Sequence, residues 1–546
     1  MANQLKLIFL GGVGEIGKNM TALEYGDTLI VIDGGMSFPD PETMPGIDVI
    51  IPDYEYLLKN KHKLKAIFVT HGHEDHIGGL PYLLRDVPTP VYGSNIAMAF
   101  LEHKIKKNKF KEAKTNVVKD GEIIEVGPFK VEFVRVTHSI AGAYAISITT
   151  PKGVIFFTGD FKIDHTPVDG RKIDLARIAE IGTKGVLLML QESTNVERRG
   201  YSMSESKVGE SLDNLFNENR GSRIIVATFA SNIHRVQQII NCAIKYGRKV
   251  AFSGRSMLNT VEIAQKIKEL KIPEDRIVDI EKISQVPYDR LCIIATGTQG
   301  EPESALTRMS QDEFKRVAIC ETDTVILSAS PIPGNERPIY QVINNLCKKG
   351  AKVVYEALSE VHASGHAYQE ELKMMLALVR PRYFIPVHGE YRHLKKHAEL
   401  AEKMGILRAN ILIPELGFCV SVSKAGLKQL PTVKSGSVFL VGDTESEAED
   451  MQIRKHLAEE GIVIALVTVS ASGKPQGELD IITKGAVIPD NVIQELKDAI
   501  QYKLAGGEYR ELNQEARQKL IRKTMSKIFY NKMKRCPIIM PIIIEE

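Results

Sequence analysis

Apolar residues along this chain gather in short runs, each closed by a glycine, a charged residue or a small polar residue. Runs of that length bounded by turn residues read as buried strands. They fall at 5–10, 28–32, 66–69, 131–136, 154–157 and 185–190. Past about residue 205 the pattern changes to alternating strand and helix: strand 223–228, helix 234–246, strand 249–252, helix 259–270, then strands 291–295 and 324–328. That alternation predicts a parallel sheet covered by helices. An amphipathic helix follows residue 367, and a strand at 383–387 comes next. An acidic stretch at 445–455 reads as a linker, and a strand at 462–469 with helices at 490–504 and 514–532 closes the chain. No internal repeat is evident.

Length changes this picture first: 546 residues predict about three or four domains. A net charge of +3 excludes a uniformly basic surface, so any nucleic-acid contact is local. One basic run, 103–111, reads as a solvated helix face, with contact to a polyanion as the alternative; the last helix is also basic. Cys242, Cys292, Cys320, Cys347, Cys419 and Cys536 are scattered with no CxxC pair. Their spacing argues for a reducing compartment and against a disulfide framework or a cysteine zinc site. With no apolar run long enough to span a bilayer and no signal-peptide pattern, the expected location is the cytoplasm, with no membrane partner.

The strands matter for what they deliver. Run 66–69 leads into Thr70-His71-Gly72-His73-Glu74-Asp75-His76, in which His71, His73, Asp75 and His76 are all metal-binding types. Alternation points the first three to one side of an extended segment. One tetrahedral ion needs about four ligands, so this crowding suggests two ions completed from elsewhere. A polar loop rich in His by chance is the bland alternative, disfavoured because the chain holds only 14 His. Other strand ends deliver Asp33, His138, Asp160, Glu192 and His388. Asp33 suits a partner that orients a ligating imidazole, or a simple turn residue. The glycine-rich loop 11–19 reads as a tight turn between strands, less readily as a phosphate cradle, and it is not a Walker A loop. Loops 296–302 and 328–335 follow strands of the parallel layer, where ligands of such sheets bind.

His71-x-His73-x-Asp75-His76, His138, Thr158-Gly159-Asp160 and Val387-His388-Gly389-Glu390 together resemble the ligand set of the metallo-β-lactamase fold. Adding Glu192, Ser364-Gly365-His366-Ala367 and the inserted α/β layer, the chain resembles the β-CASP nucleases, a branch that acts on nucleic acid. Residues 5–19, 297–302, 330–335 and 386–392 resemble bacterial RNA-degrading members of that branch, over almost the entire chain. The implied fold class is α/β: an αββα sandwich with an inserted β-CASP α/β domain and a small α+β C-terminal domain. The implied boundaries are 1–205 and 366–444 for the sandwich, 206–365 for the insertion, 445–455 for the linker and 456–546 for a terminal domain that supports dimers.

The resemblance implies a metal-dependent ribonuclease that degrades single-stranded RNA 5′ to 3′, preferring a 5′ monophosphate, and also cuts internally, in maturation of RNA (including ribosomal RNA) and decay of messenger RNA. By the same resemblance His71, His73, His138 and Asp160 hold one ion, and Asp75, His76, Asp160 and His388 the second. The pair is two Zn²⁺ (or Mn²⁺) per subunit, activating water for phosphodiester hydrolysis. Asp75, His366 and Glu192 are the implied catalytic residues, with His366 protonating the leaving oxygen and Glu192 holding its imidazole; Asp33 stands behind the ligands. A 5′-phosphate pocket is implied at His362, Ala363, Ser364, Gly365 and His366, faced by Ser231, Asn232, Ile233 and His234. For His234 a helix-start or core role is the alternative. A structural Ca²⁺ or Mg²⁺ would fall on Asp48, Ile50 and Asp443. Implied partners are a second copy as homodimer or homotetramer, a paralogous subunit, or a degradation complex. The chain departs from the family pattern at Ser139-Ile140-Ala141-Gly142, expected to loosen the local turn, and at Gln191-Glu192, where glutamate lengthens a carboxylate arm. The competing readings are a small-molecule hydrolase of the same fold, a DNA-directed β-CASP nuclease, and a non-catalytic RNA-binding subunit of a degradation complex.

Overall fold

The computed structural model describes residues 4–40, 43–110, 113–332, 335–442, 444–446, 448–470, 476–477, 479–506 and 512–545. Its first unit, Met1–Ser37 with Ile51–Ser437, is built on two sheets stacked face to face and a third one inserted between their strands in sequence. The eight-stranded sheet runs, in spatial order, Gly426–Leu430, Cys419–Ser423, Leu5–Gly11, Met20–Tyr25, Thr28–Ile32, Leu64–Phe68, Val91–Gly93 and Thr115–Val117. The six-stranded sheet runs Tyr383–Val387, Val186–Glu192, Gly153–Phe157, Tyr144–Thr150, Phe129–Arg135 and Ile123–Val126.

Alternation of side chains across a strand explains the layering. Phe9, Leu23, Ile30 and Phe68 of the first sheet meet Phe133, Ile146, Ile155, Leu188 and Ile385 of the second in one buried cluster. The opposite positions of the second sheet, Phe156, Met189 and Phe384, pack instead with Ile178, Leu372, Met375 and Ala398. Those residues sit on helices Leu175–Lys184, Gln369–Val379 and Tyr391–Lys403. A strand buried on both faces must be apolar almost throughout, as Val186–Glu192 is. On the first sheet, helix Asn95–Lys107 packs beside Val91–Gly93 and Thr115–Val117. The layering is αββα, as expected.

Two strands lack the apolar run that would announce them. Met20–Tyr25 carries Glu24, buried at 4% exposure and held by Lys6 and Lys63. Tyr144–Thr150 carries Ser147, Thr149 and Thr150. Loop 11–19 is therefore the turn between Leu5–Gly11 and Met20–Tyr25, which pair antiparallel, and not the link to 28–32.

The inserted sheet runs Lys249–Ser253, Leu291–Ala295, Arg223–Ala227, Asp323–Leu327 and Lys352–Val354, every pair parallel. Helices Glu205–Glu218, Ile233–Lys245, Arg255–Lys266 and Glu336–Lys348 alternate with its strands. In the basic run, helix Asn95–Lys107 buries Leu101 and Ile105 and pairs Lys104 with Glu74. Lys111 lies outside the described residues.

The second unit, Phe38–Ile50 with Val438–Glu546, holds a three-stranded sheet of Asp480–Lys484, Ile462–Val469 and Ile538–Glu545. Val463, Val467, Ile539 and Ile543 pack with Leu496 and Ile500 of helix Asp490–Ala505 and with Met525 and Phe529 of helix Gln514–Met533. Within 445–455, expected as a linker, the described residues lie in strand Thr444–Ser446 and helix Ala448–Glu460. Its Ala, Glu, Met, Gln, Arg, Lys and Leu are strong helix formers, which acidity alone concealed.

Candidate metal centre

Strand direction gathers the site. Phe129–Arg135, Gly153–Phe157, Val186–Glu192 and Tyr383–Val387 all run the same way in the second sheet, two of them through the intervening antiparallel Tyr144–Thr150. Their carboxyl ends therefore share one edge, and there the chain places His138, Asp160, Glu192 and His388. In the first sheet Thr28–Ile32 and Leu64–Phe68 are parallel and deliver Asp33 and Thr70-His71. Helix Glu74–Ile77 then turns Asp75 and His76 back beneath His71, with His73 at its N-cap. Asp33 and His388 have φ of 59° and 51°. A left-handed backbone costs a non-glycine residue about 1–3 kcal/mol, strain that collects at functional sites.

Two donor sets result. In the first, His73 Nδ1 lies 3.1 Å from both His71 Nε2 and His138 Nε2. In the second, His76 Nε2 is 3.6 Å from Asp75 Oδ2 and 3.2 Å from Asp160 Oδ2, and His388 Nε2 is 3.2 Å from Asp75 Oδ2. Asp160 Oδ2 also lies 3.6 Å from His71 Nε2 and 3.9 Å from His138 Nε2, so it faces both sets.

The outer nitrogens fix which way the lone pairs point. His138 Nδ1 donates to the Gly365 carbonyl at 2.6 Å, leaving Nε2 unprotonated and inward. Gly365 permits that approach, because a Cβ there would stand 2.7 Å from the His138 ring. Thr70 Oγ1 donates to Asp33 Oδ2 (2.9 Å) and accepts from His71 Nδ1 (3.0 Å). His76 Nδ1 donates to Asp33 Oδ2 at 2.8 Å. Asp33 thus orients two imidazoles, one directly and one through Thr70.

Several imidazole nitrogens and carboxylate oxygens converge within 4 Å of one another. Among the described residues, Asp160 Oδ2 and His388 Nε2 are buried with no well-aligned hydrogen bond, despite their 3.2 Å approaches to His76 and Asp75. That arrangement fits divalent metal bound by nitrogen and oxygen, with Asp160 placed beside both donor sets.

The electrostatics of the two sets differ. Burial, with neighbouring His76 and His73 adding to it, holds His71 and His138 well below the usual imidazole range, and burial pushes His73 down to about 4. Burial opposes charge on His76 and His388 as well. The Asp160 and Asp75 carboxylates outweigh it, raising His76 well above the usual value and His388 to about 10. Against their own burial, Asp160 and Asp75 are held below the carboxylate range by those two imidazoles.

His366 stands beside the second set, its Nδ1 3.4 Å from Glu192 Oε2 and 4.0 Å from Asp160 Oδ2. Although burial works against it, the Glu192 charge raises the His366 pKa. The longer arm of Glu192 is used: Oε2 accepts from Thr194 N at 3.0 Å and Oε1 from Ala367 N at 3.2 Å. The turn after His138 is closed despite its departure from the pattern, with Gly142 at φ 68° and Val136 N donating to Ala143 O at 3.1 Å.

Loop 362–366 runs along the same wall. Asn195 Nδ2 donates to Ser364 Oγ at 2.8 Å, and among the described residues the amides of 362–365 have no internal acceptor. Burial, reinforced by Arg235, pushes His362 down to about 3. Ala363 is buried. The facing segment offers less than expected from its side chains: Ile233 is buried, and Asn232 caps helix Ile233–Lys245 by accepting from Arg235 N at 3.0 Å. His234 sits in the first turn of the helix that Asn232 caps, its Nε2 3.8 Å from Asp169 Oδ2. Asp48 Oδ2 accepts from Gly442 N at 2.7 Å; Ile50 is buried nearby in the same unit, and Asp443 lies outside the described residues.

Sequence reading missed Asn19, whose Nδ2 reaches His76 Nε2 and the Asp75 carbonyl at 3.1 Å each, and also Thr70 and Thr194. Thr70 adjoins His71 and was open to suspicion on that ground; nothing local distinguishes Asn19.

An αββα sandwich, a parallel-sheet insertion and a paired His/Asp centre with an adjacent Glu–His dyad define a β-CASP metallo-hydrolase. Family models agree: metallo-β-lactamase superfamily over 13–193, ribonuclease J β-CASP domain over 221–346, Zn-dependent metallo-hydrolase RNA specificity domain over 350–414 and ribonuclease J C-terminal domain over 451–546. The chain belongs to the ribonuclease J family and is a metal-dependent ribonuclease. It is 40% identical to ribonuclease J of Thermus thermophilus across 100% of this chain and 96% of that protein. It is 42% identical to ribonuclease J of Synechocystis over 90% of this chain and 77% of the relative, and 36% identical to ribonuclease J2 of Bacillus subtilis over 99% and 98%. A solved Enterococcus faecalis protein of unknown function shares the fold at TM-score 0.55 and 19% identity, covering 77% of this chain and all of its own. No helix among the described residues is long and apolar enough to cross a membrane.

Proposed function

We propose that the chain removes nucleotides from the 5′ end of monophosphorylated single-stranded RNA and also cuts RNA internally, in RNA maturation (ribosomal RNA included) and messenger RNA decay. The observation that carries this reading is the placement of loop 362–366. Its free amides, suited to an anion, adjoin the Glu192–His366 dyad and the shared Asp160.

His71, His73, His138 and Asp160 would hold one cation and Asp75, His76, Asp160 and His388 the other, with zinc or manganese suiting the donors. When bound, the pair supplies Lewis acidity that polarises the scissile phosphate and acidifies the attacking water. Asp75 is the most exposed of the site's carboxylates, its side chain 30% accessible against 2% for Asp160, and it takes up the proton of that water. His366, kept protonated by Glu192, is 23% accessible and donates a proton to the departing 3′ oxygen. Cleavage of the P–O3′ bond leaves a phosphate on the new 5′ end, so each product is again a substrate for the same pocket.

The terminal unit supports a homodimer: its sheet leaves Ile482, Met540, Ile542 and Ile544 exposed beside buried Ile539 and Ile543. A homotetramer or pairing with a paralogous subunit builds on the same face. Six free cysteines accord with the cytoplasm. A structural Ca²⁺ or Mg²⁺ at Asp48, Ile50 and Asp443 belongs to the same proposal.

The test is a 3′-labelled RNA carrying a 5′ monophosphate, triphosphate or hydroxyl, incubated with zinc or manganese beside a His73→Ala control. Shortening from the monophosphorylated end, absent in the control, is expected. Internal cuts indifferent to the 5′ group would remove the pocket from the proposal, and cleavage of DNA alone would overturn it.

A further inference from the structure

Arg235 is fully buried, and its guanidinium is hydrogen-bonded on every nitrogen. Its Nε and Nη2 both meet the Glu205 carboxylate, the latter at 2.8 Å. Its Nη1, with two N–H groups to share, lies within hydrogen-bond distance of Ser328 Oγ (2.7 Å), Ser328 O (3.0 Å) and Val361 O (3.1 Å). Ser328 Oγ in turn donates its O–H to Val361 O at 2.6 Å. One planar fork thus joins helix Glu205–Glu218, helix Ile233–Lys245, the end of strand Asp323–Leu327 and the residue preceding His362.

Val361 is the last residue before the amides proposed to receive the 5′ phosphate, and Arg235 directly follows the facing segment 231–234. Stability does not require a charge here, since a buried ion pair can often be replaced by apolar residues without loss. A rigid guanidinium with bonds in three directions fixes distances, which a flexible or apolar side chain does not.

We propose that Arg235, acting with Ser328, is a positioning residue for 5′-end selection: it fixes the spacing between segment 231–234 and loop 362–366, and so the fit of a terminal phosphate. The inference rests on the phosphate-pocket reading above. Arg235 reaches no reacting atom; it acts through the carbonyl of Val361.

The readout is the ratio of cleavage efficiency on 5′-monophosphorylated over 5′-hydroxyl RNA, with a circular RNA, which has no 5′ end, reporting internal cutting. Arg235→Lys keeps the charge beside Glu205 but loses the fork. It is expected to lower the ratio about tenfold, mainly through KM, with a smaller loss on the circle. Ser328→Ala leaves the ion pair intact and removes one of the two donors to Val361; a fall of about threefold in the same ratio is expected. The second variant serves if the first does not fold. Equal losses on linear and circular RNA, or an unchanged ratio in Ser328→Ala, would overturn the inference and leave the pocket standing. A wild-type protein indifferent to the 5′ group would overturn the pocket and this inference together.

Discussion

The two halves of the metal centre solve the same problem in opposite ways. In the His71/His73/His138 set, burial strips the imidazoles of protons, so the donors stand ready for a cation. In the Asp75/His76/Asp160/His388 set, carboxylates hold protons on the imidazoles, and a cation must displace them. The difference lies in the count of carboxylates. At the first set the Asp75 and Asp160 charges do not overcome burial, whereas Asp33, Asp75 and Asp160 all lie within 3.6 Å of His76. Equal ligand chemistry therefore does not mean equal ion binding.

The most severe way to break the contrast is to remove what the halves share. Asp160→Ala is expected to empty both positions and lower RNA cleavage by at least about 10³-fold, read by metal analysis alongside single-turnover rates. His73→Ala should empty the first position while the second retains metal; equal loss of both would mean the halves are not separable.

Next comes His366, the proposed proton donor, which belongs to neither half. His366→Ala is expected to cost about 10²–10⁴-fold in kcat with metal content unchanged. Glu192→Gln should cost less and move the alkaline limb of the rate profile to lower pH, because the carboxylate is what raises the His366 pKa. A rate profile that stays put would remove Glu192 from that role.

Asp33→Asn sharpens the comparison further. Asp33 bonds His76 directly but reaches His71 only through Thr70. Metal affinity is expected to fall about 10–100-fold at the second position and less at the first, measured by competition with a chelating dye.

The smallest effect is on stability of the metal-free protein. His73 has its pKa lowered from 6.5 to about 4, so the fold disfavours its proton and loses stability as pH falls from 6.5 towards 4. His388 has its pKa raised from 6.5 to about 10, so its contribution is full below 6.5 and is lost as pH rises through 10. Thermal unfolding should therefore weaken on both sides of a maximum near neutrality. In His388→Gln the alkaline decline should shrink while the acid one remains. Loading metal at pH 7 should release protons from the second half alone, visible as a buffer-dependent binding enthalpy.

Much of the site was legible because its residues cluster at strand ends. His71, His73, Asp75 and His76 share six positions, and His138, Asp160 and His388 each follow an apolar run that a buried strand requires. Asn19 was not legible: it ends a glycine-rich turn, and only the pairing of Leu5–Gly11 with Met20–Tyr25 carries it to His76. Met20–Tyr25 itself was hidden because a buried Glu24 breaks the apolar pattern and is neutralised by lysines distant in sequence. The helix within 445–455 was hidden for a simpler reason, since charge was weighed above helix propensity.

By itself the sequence determined which side chains could hold metal, which strands would be buried, and that a parallel insertion interrupts the sandwich. These are local properties: ligand type, apolar run length, and the spacing of turns. Only the tertiary structure decided that Asp160 faces both donor sets, that one half is deprotonated while the other keeps its protons, and that Arg235 ties loop 362–366 to the segment opposite. Each of those depends on burial and on charges brought within about 4 Å from far along the chain, and at that distance in a dry interior electrostatics outweigh anything local sequence expresses.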